Sequence, residues 1–213
     1  MSTEARSTET VAARQPVVER PVLPDVTVAD PAPLGLAAFA LTTFVLSLAN
    51  ANVWVTAAGA AVALALAYGG TVQLLAGMWE FKRANTFGAT AFSSYGGFWI
   101  SFFFLVHILK VADHNAIGAY LLGWAIFTAY MTVAALRVSG AVTAVFVLLT
   151  VTYVLLTIGE LRHGPGAALN NWTKAGGWVG VATAAAAWYA SFAGVVNSTF
   201  KRSILPVYPL LTH

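Results

Sequence analysis

The sequence predicts an all-α integral membrane protein: six transmembrane helices, with a short re-entrant or half-helical segment between the second and third. Hydrophobic residues make up 59% of the chain and charged ones 9%. The charges fall almost entirely between six apolar runs, roughly 34–54, 57–81, 94–112, 116–136, 141–161 and 175–197. About 20 apolar residues cross the hydrocarbon core of a bilayer, and no soluble domain of this length needs six such runs. With six spans both termini share a side. That side holds Arg6, Arg14, Arg20, Lys82, Arg83, Arg137, Lys201 and Arg202, against only Lys110, Arg162 and Lys174 opposite. The excess of basic residues predicts cytoplasmic N- and C-termini in a plasma (cell inner) membrane.

Residues 1–29 carry Ser, Thr, Glu, Arg, Val and Pro without a helical apolar stripe, and predict a disordered cytoplasmic tail. No short apolar stretch with a cleavage site follows its arginines, so the first run stays as a span. The membrane domain covers 30–207, and 208–213 form a short C-terminal tail. The net charge of +3 reads as an orientation signal, not as a nucleic-acid footprint. The absence of cysteine excludes disulfides, thiolate metal sites and cysteine nucleophiles.

Span 1 opens on Asp30-Pro31-Ala32-Pro33-Leu34, a helix start in which each proline lacks a donor that would be unpaired anyway and Asp30 can cap. It then carries Thr42, Thr43, Ser47 and Asn50. Hydroxyls can bond back to their own helix, whereas the Asn50 amide needs a partner helix or a polar path. In span 2, Gly70 and Gly77 share a face suited to close helix approach, and Gln73 is the one amide near the middle. Glu80 precedes Phe81, Lys82 and Arg83. The reading preferred for it is an interfacial acid neutralised by its neighbours; the other is a buried functional carboxylate.

Residues 84–96 are too apolar for a solvated loop and too short for another span. They predict the half-helical segment, capped by Asn85 or Thr86, whose first N–H groups offer a weak anion site. Span 3 is aromatic, with His107 near its end. Spans 4 and 5 carry threonines without a mid-span charge, and Glu160, Arg162 and His163 form a rim. Span 6 has the GxxxG pair Gly176 and Gly180 and an alanine run, Ala184 to Ala187, which suit a packing or oligomer surface.

No catalytic constellation, P-loop or metal-ligand cluster is present in the sequence, so neither an enzyme nor a metal or cofactor is expected. The spans offer hydroxyls, amides and aromatics without fixed charge, a path for a small solute that is neutral or easily neutralised.

Three motifs carry a resemblance: P-A-P-L-G-L at Pro31–Leu36, Y-G-G at Tyr68–Gly70, and N-T-F-G-x-T-A-F-x-S-Y-G at Asn85–Gly96. Together they resemble the acetate uptake transporter family (Gpr1/Fun34/YaaH), which includes the succinate–acetate permease, over about residues 30–207. The resemblance implies six helices per protomer, a homo-hexamer, and an acetate path through each protomer that narrows at a hydrophobic constriction. By local match the constriction falls at Phe39, Tyr95 and Leu149. Asp30, Leu34, Thr42, Asn50, Gln73, Asn85, Thr86 and Ala187 are the further candidates for substrate binding or a polar path. Where the family motif opens with Asn this chain has Asp30. An ionised Asp30 would repel a carboxylate but serves equally as a helix cap, and capping is the preferred reading. The expected function is proton-linked or pH-dependent passage of acetate, with succinate within range. Its rivals are an acetate-selective channel, ammonia export, and a non-transporting scaffold or sensor.

Overall fold

The computed structural model describes residues 28–164 and 169–208. The expectations for 1–29 and 208–213 lie outside those residues, save for Val28, Ala29 and Tyr208. Among the described residues six helices are long and apolar enough to cross a membrane: α1 Ala32–Asn50, α2 Ala57–Lys82, α3 Thr86–Ile108, α4 His114–Ala135, α5 Gly140–Leu161 and α6 Asn171–Phe200. Among the described residues there is no β-sheet.

Four of these six helices start on a short polar side chain. Asn85 Oδ1 accepts from Gly88 N at 3.1 Å, Asp113 Oδ1 from Asn115 N at 2.9 Å, Ser139 Oγ from Val142 N at 3.2 Å and Asn170 Oδ1 from Thr173 N at 3.0 Å. Each satisfies a backbone donor that has no partner inside its helix. At α1, Pro31 occupies the N-cap, and Asp30 Oδ1 accepts from Ala32 N at 3.1 Å.

The expected half-helical segment is not a separate element. Only Arg83, Ala84 and Asn85 separate α2 from α3, and the N-T-F-G sequence is already the first turn of a span reaching Ile108. Ala84 turns the chain with φ 57°, and the Asn85 cap starts the helix at once. The apolar run after residue 94 is therefore only the later part of α3. Residues 84–96 read as too short for another span only because the third apolar run is taken to begin at residue 94.

The six helices close a ring. Each packs on its sequence neighbours, and α6 returns to α1. Small residues bring the backbones together. A Cβ at Gly177 would fall 2.2 Å from Ala51 N, and one at Gly180 would fall 2.3 Å from Ser47 Oγ, so α6 lies directly on α1. Gly176 faces Leu156 of α5 instead, so the GxxxG pair is divided between two neighbours. Gly70 and Gly77 both face α3, against Ile100 and Ser93, as their shared register predicts. A π-helical turn over Ala67–Val72 carries the Y-G-G sequence and lays Gly69 against Thr42 of α1. Ser191 Oγ of α6 donates to Pro33 O of α1 at 2.6 Å.

The outer faces expose Leu75, Ile126, Val133, Val151 and Phe192, as a lipid surround requires, with Trp54, Trp79 and Trp172 near the helix ends. The chain is a multi-pass membrane protein.

Replacing Gly177 with Ala should lower the melting temperature in detergent, an overpacking loss of about 1–3 kcal/mol. Gly59→Ala, where a Cβ meets open space, should be neutral or gain up to about 1 kcal/mol. Equal melting points for the two variants would contradict the close α1–α6 contact.

Candidate functional site

A cavity of about 80 Å³ lies inside the ring at the end where α2 and α3 join. Leu36 and Phe39 of α1 line it, with Gln73 and Glu80 of α2 and Asn85, Gly88, Phe92 and Tyr95 of α3. Its far wall is Val142, Val145, Phe146 and Leu149 of α5. A smaller cavity of about 30 Å³ continues the line toward the other end of the bundle. It is lined by Thr43, Ser47, Asn50, Trp99, Thr152 and Tyr153, among others. Phe39 and Leu149 line both cavities. These two apolar side chains therefore stand between them.

Tyr95 completes that partition. Its ring lies 5.9 Å from Phe39, 6.0 Å from Phe146 and 5.4 Å from Phe127, centroid to centroid. Its hydroxyl is 2.9 Å from Thr128 Oγ1, and Thr128 Oγ1 in turn donates to Trp124 O at 2.7 Å. Each hydroxyl has one proton, so Tyr95 donates to Thr128. The hydroxyl is thereby tied to Thr128, and Tyr95 lines the larger cavity. Phe39, Tyr95 and Leu149 are all buried in one apolar cluster.

The other sequence candidates divide. Gln73 and Asn85 line the larger cavity and Asn50 the smaller. Asp30 and Leu34 border an open groove between α1 and α6, away from both. Arg83 Nη1 donates to Asp30 Oδ1, the same oxygen that accepts from Ala32 N, so the Asp30 carboxylate is engaged by a cation and a helix start. Thr42 is fully buried against Gly69 with its hydroxyl donating to Ala38 O at 2.9 Å. Thr86 is exposed at the first turn of α3. Ala187 is buried in the core cluster that also contains Phe39 and Leu149, but lines neither cavity.

Thr128 escapes a sequence reading, and for Glu80 the structure goes against the preferred one, an interfacial acid. Thr128 is one threonine among many in the apolar spans, and only the fold brings it to Tyr95. Glu80 stands beside two basic residues and reads as an interfacial acid, yet it is 0% exposed. Its Oε2 accepts from Asn85 Nδ2 at 2.8 Å, and its Oε1 has no partner. A Cβ at Gly88 would fall 2.8 Å from that free oxygen, so the glycine of N-T-F-G makes room for the carboxyl at the start of α3. At that helix start Gly88 N donates to Asn85 Oδ1, and the Glu80 carboxyl lies beside it without accepting a backbone N–H.

Among the described residues, five buried side-chain polar atoms lack a partner: Thr43 Oγ1, Gln73 Oε1, Glu80 Oε1, Ser93 Oγ and Trp99 Nε1. Gln73 and Glu80 line the larger cavity, and Thr43 and Trp99 the smaller. Unsatisfied hydrogen-bonding capacity is therefore concentrated on either side of an apolar partition. That arrangement can receive a small polar solute at each side and force it to shed water between them.

The sequence pattern of the GPR1/FUN34/yaaH family matches residues 14–212. Acetate permease A of Emericella nidulans is 44% identical over 195 residues, covering 84% of this chain and 65% of its own length. The chain thus spans just under two thirds of that fungal relative. The succinate-acetate/proton symporter SatP of Escherichia coli K12 is 37% identical over 184 residues, covering 84% of this chain and 95% of its own. The solved structure of the bacterial acetate channel SatP superposes with a TM-score of 0.78 at 36% identity, covering 85% of this chain and 99% of that one.

Leu149→Ala should join the two cavities at a cost of about 2–3 kcal/mol, the low end for a buried leucine because space already adjoins it. The chain has no native cysteine, so a single Thr43→Cys reports access cleanly. Its labelling by a small thiol reagent should speed up severalfold in the Leu149→Ala background. An unchanged labelling rate would count against Leu149 as part of the partition.

Proposed function

Because the chain belongs to the GPR1/FUN34/yaaH family, we propose that it carries acetate and similar small carboxylic acids across the membrane, through a path inside each protomer. The transport unit is the membrane domain, residues 30–207. The observation that carries this reading is the partition of Phe39, Tyr95 and Leu149 between two cavities whose walls hold unpartnered polar atoms. The names of the relatives supply the substrate class, with succinate as a larger candidate.

Chemistry favours a proton on the passing acid. A lone carboxylate between Phe39 and Leu149 would lose its hydration with no fixed cation to replace it, whereas the neutral acid crosses at far lower cost. Passage is accordingly proton-linked. One relative is named a proton symporter and the solved structure a channel; the channel is the second reading, and the two differ in their response to a proton gradient. Nothing in either reading calls for catalysis.

The basic side chains Lys82, Arg83, Arg137, Lys201 and Arg202 support cytoplasmic termini in a plasma or inner membrane. The resemblance to the family supports a homo-hexamer in which every protomer keeps its own path.

Uptake of labelled acetate into proteoliposomes, with and without an inward proton gradient, tests this reading. Acceleration by the gradient is the expected result for proton-linked passage. Gradient-independent flux would favour a channel, and absence of flux would favour a scaffold or sensor. Leu149→Ala should admit larger acids such as lactate, and unchanged selectivity would remove Leu149 from the gate. Asp30→Asn should lower thermal stability by about 1 kcal/mol, through loss of the ion pair with Arg83, and leave acetate affinity unchanged. A shifted affinity would instead make Asp30 a substrate contact.

A further inference from the structure

We propose that Glu80 is the substrate-contacting residue of the larger cavity, where its carboxyl shares one proton with the carboxylate of the passing acid through the free Oε1. This rests on the reading of the chain as a carboxylic-acid transporter and gives that reading its proton.

The geometry is that of a binding group rather than a cap alone. Asn85 Nδ2 fixes Oε2 at 2.8 Å, which orients the carboxyl and leaves Oε1 over. Gly88 supplies the space beside that oxygen. Gln73 lies seven residues earlier on α2 and lines the same cavity, also with a free amide oxygen. A neutral acid can donate its O–H to either free oxygen. A carboxylate meets Glu80 only if one of the two carboxyl groups carries a proton, because an amide such as Gln73 can donate an N–H but brings no proton to neutralise the pair.

Two carboxylates within hydrogen-bond distance do not both ionise, because their repulsion in a dry site outweighs the loss of one proton. The acid–carboxylate pair that keeps one proton is joined instead by a short, charge-assisted hydrogen bond. No other group in the cavity can take over the neutralisation. The α5 wall offers Val142, Val145, Phe146 and Leu149, and the α1 wall Leu36 and Phe39. The charged residues acting on Glu80 are Asp30 and Arg83, which are paired with each other, while Lys82 is exposed. One proton from the solution on that side therefore enters with each acid. It stays between the two carboxyl groups and leaves on the acid when the neutral molecule crosses the partition.

The test uses full-length protein in proteoliposomes. Wild type without acetate flux overturns the transport reading and this proposal with it. Given wild-type flux, Glu80→Gln keeps the shape and the contact with Asn85 but cannot carry the shared proton. It should lose roughly tenfold in flux, the worth of one charged hydrogen bond, and lose the dependence on the proton gradient. Glu80→Gln at wild-type flux, or slowed with an unchanged pH profile, overturns the proposal. If that variant fails to fold, wild type is treated with dicyclohexylcarbodiimide, which adds to a protonated carboxyl, and the adduct is mapped by mass spectrometry. Labelling at Glu80 that acetate slows is the expected result; no label there, or labelling indifferent to acetate, overturns it.

Discussion

Hydrocarbon offers no water to a polar group, and the whole bundle is arranged around that constraint. Most span hydroxyls answer it locally. Thr42, Thr128, Thr150, Thr152, Thr157 and Thr183 each donate to the carbonyl four residues back, at 2.7–2.9 Å. A hydroxyl spent this way makes no demand on a neighbouring helix, so threonines can be scattered through the spans at little cost. The residues that do not close their hydrogen bonds stand out against this background, and four of those named above surround the two cavities.

Helix approach sets where those cavities lie. Gly177 and Gly180 draw α6 onto α1, and Gly69, Gly70 and Gly77 let α2 sit close to both α1 and α3. Between α3 and α4, by contrast, large rings hold the helices apart. Phe98, Tyr120 and Trp124 meet at centroid separations of 5.2–6.3 Å. Close contact on one side of the ring and aromatic spacing on the other place the interior gap beside Tyr95. Packing enthalpy and the Thr128 hydrogen bond fix the Tyr95 ring there.

The N-T-F-G sequence has several physical duties at once. Asn85 Oδ1 caps α3 while its Nδ2 holds Glu80, and Gly88 yields both the capped N–H and the space for the carboxyl. An ionised acid in its place would offer acceptors only, so it could cap α3 but could not donate to Glu80. The Asp30–Arg83 pair at the same end occupies charges that would otherwise act inside the cavity.

The amino-acid sequence by itself determined the membrane class, the six spans and the Asn85 cap, because each depends on composition or on neighbours within one turn. It singled out Phe39, Tyr95 and Leu149 as a set only through motifs, not through physics. The tertiary structure alone decided that residues 86–93 belong to a full span, that Gly176 and Gly180 serve different partners, and that Thr128 holds Tyr95. It alone decided the burial of Glu80. In sequence an acid beside Lys82 and Arg83 looks solvated, since adjacent residues are assumed to share an environment. On a helix they point in different directions, and the turn at Ala84 brings Asn85 and Gly88 over the one face that the basic residues do not share.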